Sequence, residues 1–272
     1  MTEMLIVVKV GGDILKWRRS HELILDIKNL LSEHKIILVH GGGVEVTEIA
    51  SKLGKRQEFV VSPKGFRSRY TDKDTVEIYT MVMAGKINKQ IVSTLQTHGV
   101  SGLGLSGLDG SLMKAKRKKR IVIIDETGRK RVVDGGYTGK INEINTQLLQ
   151  LLIENNYVPV IAPIAISEKF DPLNVDGDRT AAYIAGALKA DRLVLLTGVQ
   201  GVIFDDKLVP KLTVSEVKKI LPKIGGGMIT KVYAAIEALE QGVDEILISF
   251  GLETHPITSP LKHKCGTVIS RE

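Results

Sequence analysis

Short apolar runs alternate with helix-type patterns along this chain of 272 residues. The runs predict strands at residues 5–10, 35–40, 101–105, 157–162, 192–197 and 245–249. Apolar residues at helical spacing fill the intervals between the runs. Because strands that are apolar throughout need cover on both faces, the pattern predicts an α/β fold: an open, mainly parallel, doubly wound sheet in a three-layer αβα sandwich.

Composition narrows the class of protein without selecting a function. A hydrophobic content of 43% is enough for one large α/β domain or two smaller lobes. The single cysteine, Cys265, excludes an internal disulfide framework, and no stretch approaches the roughly 20 apolar residues of a membrane span. We therefore expect a soluble cytoplasmic protein with no membrane contact. The net charge of +7 permits nucleic acid, an acidic protein or anionic metabolites as partners.

Two of the predicted strands end in glycines. Lys9-Val10-Gly11-Gly12 closes the first strand, and His40-Gly41-Gly42-Gly43 closes the second. Glycine lets the main chain approach a bulky anion, and the N-terminus of a following helix adds positive charge. Lys9 adds a mobile point charge that suits a phosphoryl group better than a nicotinamide ring. These turns indicate phosphoryl transfer.

Two common nucleotide motifs do not account for this chain. Residues 102–107 match G-x-G-x-x-G, but they lack the context of that motif, because they run into Asp109, Gly110 and a basic segment instead of opening a helix. No Gly-x-x-x-x-Gly-Lys-Ser/Thr sequence occurs, so a P-loop is absent. Any nucleotide must be held by another device.

The second half of the chain offers such a device. Asn174, Asp176 and Asp178 cluster just before a predicted helix at 180–188, where they could serve either as N-caps or as functional groups. A predicted strand runs into Thr197-Gly198-Val199-Gln200-Gly201, and Gly225-Gly226-Gly227 precedes Lys231. A glycine-rich turn with a lysine can wrap a polyphosphate, and the alternative is a flexible loop with a solvated lysine.

One segment breaks the alternation of strands and helices. Residues 121–124 and 132–133 flank Asp125-Glu126-Thr127-Gly128, which predicts a β-hairpin. Nine basic residues lie along it: Lys114, Lys116, Arg117, Lys118, Lys119, Arg120, Arg129, Lys130 and Arg131. We therefore expect a basic β-hairpin at about 114–134, with a solvated hairpin or an adventitious nucleic-acid patch as alternatives.

The ordered motifs resemble the amino acid kinase family over almost the whole chain. The motifs are Lys9-Val10-Gly11-Gly12, His40-Gly41-Gly42-Gly43, Arg69-Tyr70-Thr71-Asp72, Ala84-Gly85-Lys86-Ile87-Asn88-Lys89, Gly104-Leu105-Ser106-Gly107, Asn174 to Asp178, and Gly227-Met228 with Lys231. Within the family the chain is similar to the acetylglutamate kinases and to their relatives that act on aminoadipate or glutamate attached to the LysW amino-group carrier protein. Gly136-Tyr137-Thr138-Gly139-Lys140, and Ser68 beside Arg69, look like the carrier-dependent branch.

The resemblance implies two lobes and a set of site residues. Residues 1–170 would form the lobe for the phosphate acceptor, and residues 171–272 would form the lobe for ATP. The implied catalytic residues are Lys9, Lys231 and Asp178, with Asp178 holding both lysines. Gly11 and Gly12 would bind phosphate. The implied acceptor-binding residues are Gly41, Gly42, Arg69 and Asn174. Those for the nucleotide are Thr197, Gly198, Val199, Gly201, Gly226 and Gly227.

The resemblance also implies the reaction and the partners. ATP with Mg²⁺ would phosphorylate a side-chain carboxylate, which is already ionised at neutral pH and needs no catalytic base. No residue is assigned as a metal ligand, and His40 is interpreted as structural. An acidic carrier would be steered by Lys116, Arg117 and Lys119. The alternatives are a kinase of free N-acetylglutamate and a non-catalytic sensor that binds nucleic acid. The absence of aromatic residues within 114–120 argues against nucleic acid, and we expect a homodimer.

Overall fold

The centre of the molecule is an eight-stranded sheet. A computed structural model of the chain describes residues 2–12, 14 and 21–272. In spatial order, and numbered along the chain, the strands are β16 (Lys211–Thr213), β18 (Thr267–Ser270), β17 (Glu245–Phe250), β13 (Arg192–Thr197), β1 (Leu5–Val10), β2 (Lys35–His40), β10 (Val158–Ala162) and β5 (Gly102–Ser106). The last six are mutually parallel, while β16 and β18 run in the opposite direction. These six are the strands that the sequence predicts.

Helices cover both faces of this sheet. They are α1 (His21–Leu30), α2 (Gly43–Lys52), α3 (Lys73–Thr80), α4 (Asn88–Thr97), α5 (Thr146–Glu154), α6 (Gly177–Leu188), α7 (Val214–Ile220), α8 (Met228–Glu240) and α9 (Thr258–Leu261), with a π-helical segment at Met81–Ile87 between α3 and α4. Alternate strand residues point to opposite faces. Val7 packs with α5, α6 and α8, whereas Ile6 and Val8 pack with α1, α2 and α4. The predicted three-layer sandwich is confirmed.

Two smaller sheets lie beyond the main one. One contains β12 (Pro172–Asn174), β11 (Ile164–Ile166), β6 (Met113–Arg117) and β9 (Gly139–Ile144). The other contains β4 (Arg67–Tyr70), β3 (Glu58–Val61), β7 (Arg120–Ile124) and β8 (Lys130–Asp134). A short pair, β14 (Ile203–Phe204) and β15 (Lys207–Leu208), follows β13.

The predicted hairpin exists, but its predicted bounds are wrong. Strands β7 and β8 pair around the turn at 125–128, as expected. Residues 113–117, however, form β6, which pairs with β9 in the other small sheet. Met113 and Ala115 are buried in that sheet while Lys114 and Lys116 face outward. The basic residues are therefore the exposed positions of a strand in which buried and exposed side chains alternate. The nine basic residues therefore lie on β6, on β7 and β8 with their connecting turn, and on the segment that joins β6 to β7.

Both halves of the chain contribute to one sheet. Strand β1 pairs with β13 along Ile6–Val10, so the main sheet continues across the expected division at residue 170. The assignment of residues 1–170 to the acceptor and 171–272 to ATP stays a prediction. Within the described residues no helix is long and apolar enough to cross a membrane.

Candidate active site

Two glycine turns meet at one edge of the main sheet. Because β1 and β2 are parallel and pair Val10 with His40, the turns that follow them lie side by side. A Cβ on Gly12 would lie 3.0 Å from the Gly42 Cα atom, and one on Gly41 would lie 3.2 Å from the Gly12 nitrogen. Only glycine lets these backbones approach so closely. The turns therefore form a bare main-chain surface beside Lys9.

Two lysines and one aspartate meet below these turns. Lys9 Nζ lies 2.8 Å from one carboxylate oxygen of Asp178, and Lys231 Nζ lies 3.2 Å from the other. Their side chains are 10%, 5% and 13% exposed for Lys9, Asp178 and Lys231. We call this trio the lysine–aspartate floor. It unites the three predicted catalytic residues from β1, α6 and α8.

The start of helix α6 supplies the aspartate. Asp176 is the N-cap and accepts a hydrogen bond from the Arg179 backbone N–H at 2.9 Å. Asp178 is in the first turn and takes no part in that cap. The sequence allowed this cluster to be either N-caps or functional groups. In the structure Asp176 caps the helix, and Asp178 pairs with the lysines.

Charge on the floor is set by the two lysines. Burial alone would raise the pKa of Asp178, but the positive charges of Lys9 and Lys231 overcome this and hold it below its ordinary value. The carboxyl of Asp176, which lines the same cleft, has its pKa raised by loss of solvation and by the negative charge of Asp178. The two lysines thus favour the ionised form of Asp178, and its carboxylate holds both ammonium groups in place.

His40 lies next to the floor but is held in a structural network. It is buried, and Asn88 Nδ2 donates to its Nε2 at 3.2 Å and to the Val160 carbonyl at 2.8 Å. Burial, together with the nearby positive charges of Lys89 and Lys9, lowers the pKa of His40 to about 4. A neutral imidazole that accepts from Asn88 fits the structural interpretation made from sequence.

Arg69 is fixed on the far side of the glycine turns. Its guanidinium donates to the Gly43 carbonyl at 2.7 Å and to Thr47 Oγ1 at 2.9 Å, and it also contacts Gln57. It lies over the ring of Phe59 at 4.9 Å. The side chain is buried, yet it lines the same cleft as Lys9 and Asn174. Its role in binding the carboxylate of an acceptor stays a prediction.

Asn174 lies at the end of β12 and faces the same cleft. Its Nδ2 donates to Thr71 Oγ1 at 2.9 Å, and its backbone N–H donates to the Tyr137 carbonyl at 2.8 Å. Thr71 follows Arg69 by two residues, so these contacts connect the two predicted acceptor residues. Sequence reasoning quoted Thr71 within a motif but gave it no role.

The predicted nucleotide residues fall into two groups. Gly198 follows β13 at the same sheet edge, and Gly226 and Gly227 precede α8; all three have open space where a Cβ would be. Thr197 ends β13 and Val199 is exposed beside it. Gly201 differs, because a Cβ there would lie 2.6 Å from Thr267 Oγ1. Gly201 packs against β18, so its placement also serves the fold.

One cleft contains part of the predicted site, while the predicted nucleotide residues do not line it. A cavity of about 420 Å³ is lined by the floor residues Lys9 and Asp178, the turn at Gly41–Gly43, Arg69, Asn174 and part of hairpin β7–β8. It is also lined by side chains to which sequence reasoning gave no role: Tyr79, Lys118, Lys140, Arg179, Tyr183 and Thr230. Lys118 and Lys140 were noticed as members of basic segments, but sequence alone gave no sign of which lysine faces inward.

The three predicted carrier-binding residues differ in their contacts. Lys116 and Lys119 are exposed. Arg117 donates through Nε to the Gly136 carbonyl at 2.6 Å and stacks over the Tyr137 ring at 4.1 Å, so its guanidinium holds the neighbouring segment in place. Their role toward a carrier stays a prediction.

The glycines of the G-x-G-x-x-G segment pack against neighbouring elements of the fold. A Cβ on Gly104 would lie 1.9 Å from Asn88 Oδ1, and one on Gly107 would lie 2.3 Å from the Ile164 carbonyl. Strand β5 runs through the segment into a short 3₁₀ turn rather than a helix. These glycines let α4 and β11 approach β5.

No protein metal centre stands out in the part of the chain that the structure describes, where no three His, Cys, Asp or Glu side chains are grouped to hold an ion. Chemically, the site is a pair of largely enclosed ammonium groups beside bare backbone N–H groups. Such an arrangement stabilises negative charge on oxygen atoms that lie above it.

The fold and this site define a class of protein. Residues 4–249 match the amino acid kinase family, and the chain belongs to that family. The resemblance expected from the motifs is therefore confirmed.

Particular relatives are similar along the full length. The [LysW]-aminoadipate/[LysW]-glutamate kinase of Sulfolobus acidocaldarius is 48% identical over 270 residues, covering 97% of this chain and 100% of the relative. The enzyme of the same name from Saccharolobus solfataricus is 45% identical over 267 residues, covering 98% and 99%. The branch expected from the sequence agrees with these names.

Solved structures agree in fold. N-acetylglutamate synthase from Neisseria gonorrhoeae, complexed with coenzyme A and N-acetyl-glutamate, superposes with a TM-score of 0.82 at 22% identity. The match covers 99% of this chain but only 60% of that protein. Carbamate kinase from Giardia lamblia bound to AMP-PNP gives a TM-score of 0.68 at 17% identity, covering 99% of both chains.

Proposed function

We propose that this protein is an ATP-dependent kinase that phosphorylates the side-chain carboxylate of aminoadipate, glutamate or both while the amino acid is linked to a LysW-type carrier protein. The observation that carries the proposal is the floor: one buried and one partly buried ammonium group share one carboxylate beside two glycine turns. The names of relatives that are 45% and 48% identical support the choice of acceptor.

The chemistry needs positive charge rather than a base. A side-chain carboxylate has a pKa of about 4.3, so at neutral pH its oxygen attacks the γ-phosphorus directly while the bond to the bridging oxygen of ADP breaks. The product is an acyl phosphate. Lys9 and Lys231 would offset charge on the transferring phosphoryl group, and Asp178 would keep both lysines aligned.

The acceptor would lie between Arg69 and the floor. Arg69 would bind the α-carboxylate, as a planar guanidinium suits a carboxylate. Asn174 would hold the amide that joins the acceptor to its carrier. Backbone N–H groups of Gly41 and Gly42 would face the acceptor, while those of Gly11 and Gly12 would face the γ-phosphate.

The nucleotide would approach from the C-terminal half. Gly198, Gly226 and Gly227 have room for it beside them, and α8 begins directly after Gly227. Thr197, Val199 and Gly201 would complete that wall. Mg²⁺ bound by the phosphates of ATP would supply further positive charge.

The test is acyl phosphate formation with ATP and Mg²⁺, trapped as a hydroxamate. One reaction contains carrier-linked glutamate or aminoadipate, one contains free N-acetylglutamate, and a Lys231→Met variant provides the background. We expect product with the carrier-linked acceptors. Product with free N-acetylglutamate alone would make the protein an acetylglutamate kinase, and no product at all would favour a non-catalytic sensor.

Two further expectations belong to this proposal. The product would serve lysine or arginine biosynthesis, according to which acceptor is used. We also expect a homodimer in the cytoplasm, and light scattering on the purified protein tests the dimer.

A further inference from the structure

The cleft contains a second group of cations apart from the floor. Lys118, Lys140 and Arg179 all line it, and we call these three residues the basic wall. Arg179 pairs with Glu237 at 2.5 Å. Among the residues that the structure describes, neither Lys118 nor Lys140 makes a side-chain hydrogen bond or ion pair. The wall therefore has two cations whose charge is not directly balanced.

Lys118 is held in position by backbone contacts. Its N–H donates to the Thr138 carbonyl at 2.9 Å, and the Gly135 N–H donates to the Lys119 carbonyl at 3.1 Å. The segment 135–139 is itself tied to the acceptor side, because the Tyr137 N–H donates to the Thr71 carbonyl at 2.6 Å. Lys118 thus belongs to a fixed wall that continues to Asn174.

Two glycines make this wall possible. A Cβ on Gly135 would lie 1.7 Å from the Lys118 carbonyl oxygen. Gly136 has φ of 58°, and a Cβ there would lie 2.3 Å from the Thr71 carbonyl oxygen. No other residue fits either position without moving the backbone. The glycines next to Tyr137 and Thr138 therefore bring Lys118 against the cleft.

The electrostatics of the wall favour an anion. Lys118 is half-buried, and burial with the charge of Arg179 lowers its pKa. The nearby carboxylates are Asp176, which caps α6, and Glu237, which pairs with Arg179. Three cations thus face two carboxylates. A half-buried ammonium group without a close partner is stabilised when a carboxylate comes within hydrogen-bonding distance of it.

We propose that Lys118 and Lys140 form a subsite for a carboxylate on the carrier side of the amide. This inference rests on the proposed function. The reacting carboxylate of the acceptor faces the floor, and its α-carboxylate faces Arg69, so a third anion must come from beyond the amide. A free acetylated amino acid has only a methyl group there, whereas an acidic carrier supplies a carboxylate. The subsite selects acceptors by the charge of their acyl group.

Two small acceptors of matched length test the subsite. N-glutarylglutamate has a carboxylate beyond the amide, and N-pentanoylglutamate has a methyl group there. The readout is the ratio of kcat/KM for the glutaryl to the pentanoyl acceptor. We expect the wild-type protein to prefer the glutaryl acceptor about tenfold or more, as expected of a hydrogen bond between charged groups.

The variant is Lys118→Met, which keeps the length of the side chain and removes its charge. Its ratio should fall close to one, and Lys140→Met should lower the ratio in the same direction. Lys130→Met, at an exposed lysine of β8, is the matched control and should keep the wild-type ratio. Thermal melting of each variant checks that it folds.

An unchanged ratio in both Lys118→Met and Lys140→Met overturns the subsite, including the case in which both acceptors lose activity equally because a lysine is only structural. A wild-type ratio near one also overturns it. If the wild-type protein makes acyl phosphate from carrier-linked acceptor in these cases, the proposed function stands without the subsite. If it makes none from any acceptor, both fail.

Discussion

The floor and the basic wall of one cleft balance their lysines differently. On the floor, Lys9 and Lys231 share the Asp178 carboxylate at 2.8 and 3.2 Å. On the wall, Lys118 and Lys140 have no side-chain partner within the described part of the chain. Shared pairing fixes the floor before any substrate binds, which suits transition-state stabilisation. Two wall lysines without a close partner suit recognition, because their charge is balanced only when the correct ligand binds.

The largest expected effect comes from breaking the floor. Lys231→Met removes one of the two charges beside the phosphoryl group, so kcat should fall at least about a hundredfold on every acceptor. Lys9→Met should behave alike. The measurement is hydroxamate formation at saturating ATP and acceptor, with Lys219→Met on the exposed face of α7 as control. Near-normal kcat in a folded Lys231→Met variant would refute the role of the floor.

The second largest effect is expected from a substitution in the glycine turns beside the floor. In Gly12→Ala the new Cβ would lie 3.0 Å from the Gly42 Cα atom and 3.1 Å from its nitrogen, so the two turns must separate. We expect kcat/KM for ATP to fall about tenfold or more, because small displacements of reacting groups reduce rate steeply. Gly85→Ala is the control, since nothing lies within 4 Å of its Cβ position. Equal kcat/KM in the two variants would contradict this prediction.

A pH titration of stability tests whether His40, beside the floor, stays uncharged in the folded protein. Its pKa is lowered from 6.5 to about 4, so between these pH values the unfolded chain binds a proton that the folded chain does not. Stability should therefore fall as pH decreases through this range, by about 3 kcal/mol from this residue at the lower end. His40→Gln should show a shallower decline in urea unfolding between pH 7.5 and 5.

The matched control is His21→Gln, at an exposed histidine, which should follow the wild-type decline. Identical declines in all three proteins would mean that His40 titrates normally. It could then be a third cation of the floor.

The smallest effect is expected outside the cleft. Reversing charge at Lys116 and Lys119 should raise KM for carrier-linked acceptor several-fold relative to a free acceptor, and more strongly at low salt. Arg117 is left unchanged because it donates to the Gly136 carbonyl. Reversal at Lys28 and Lys52, on the exposed faces of α1 and α2, is the control. A KM that does not respond to salt would argue against steering by these lysines.

Much of the fold could be predicted from local pattern. The six parallel strands are apolar runs long enough to be recognised in isolation. Strands β16 and β18 have only three and four residues, and their pairing depends on contacts distant in sequence. Strand β6 was merged with the hairpin because its outward lysines masked the buried Met113 and Ala115. Tertiary pairing decided where local pattern was weak.

The candidate site also contains residues that could be predicted from motifs and residues that could not. The motifs predict Lys9, Asp178 and Lys231, and in the structure both lysine Nζ atoms lie within 3.2 Å of a carboxylate oxygen of Asp178. Lys118 could not be separated from Lys116 and Lys119 in one basic run. Its inward position depends on a backbone contact with Thr138, 20 residues further along the chain. Contacts of that kind leave no sign in residue spacing.

The most direct test of the division between floor and wall compares two variants on the same carrier-linked acceptor. Lys231→Met should lose activity in kcat, because its charge acts on the transferring phosphoryl group. Lys118→Met should lose activity mainly through a higher KM, because its charge acts on the carrier side of the acceptor. Losses in the same kinetic parameter for both variants would contradict the account.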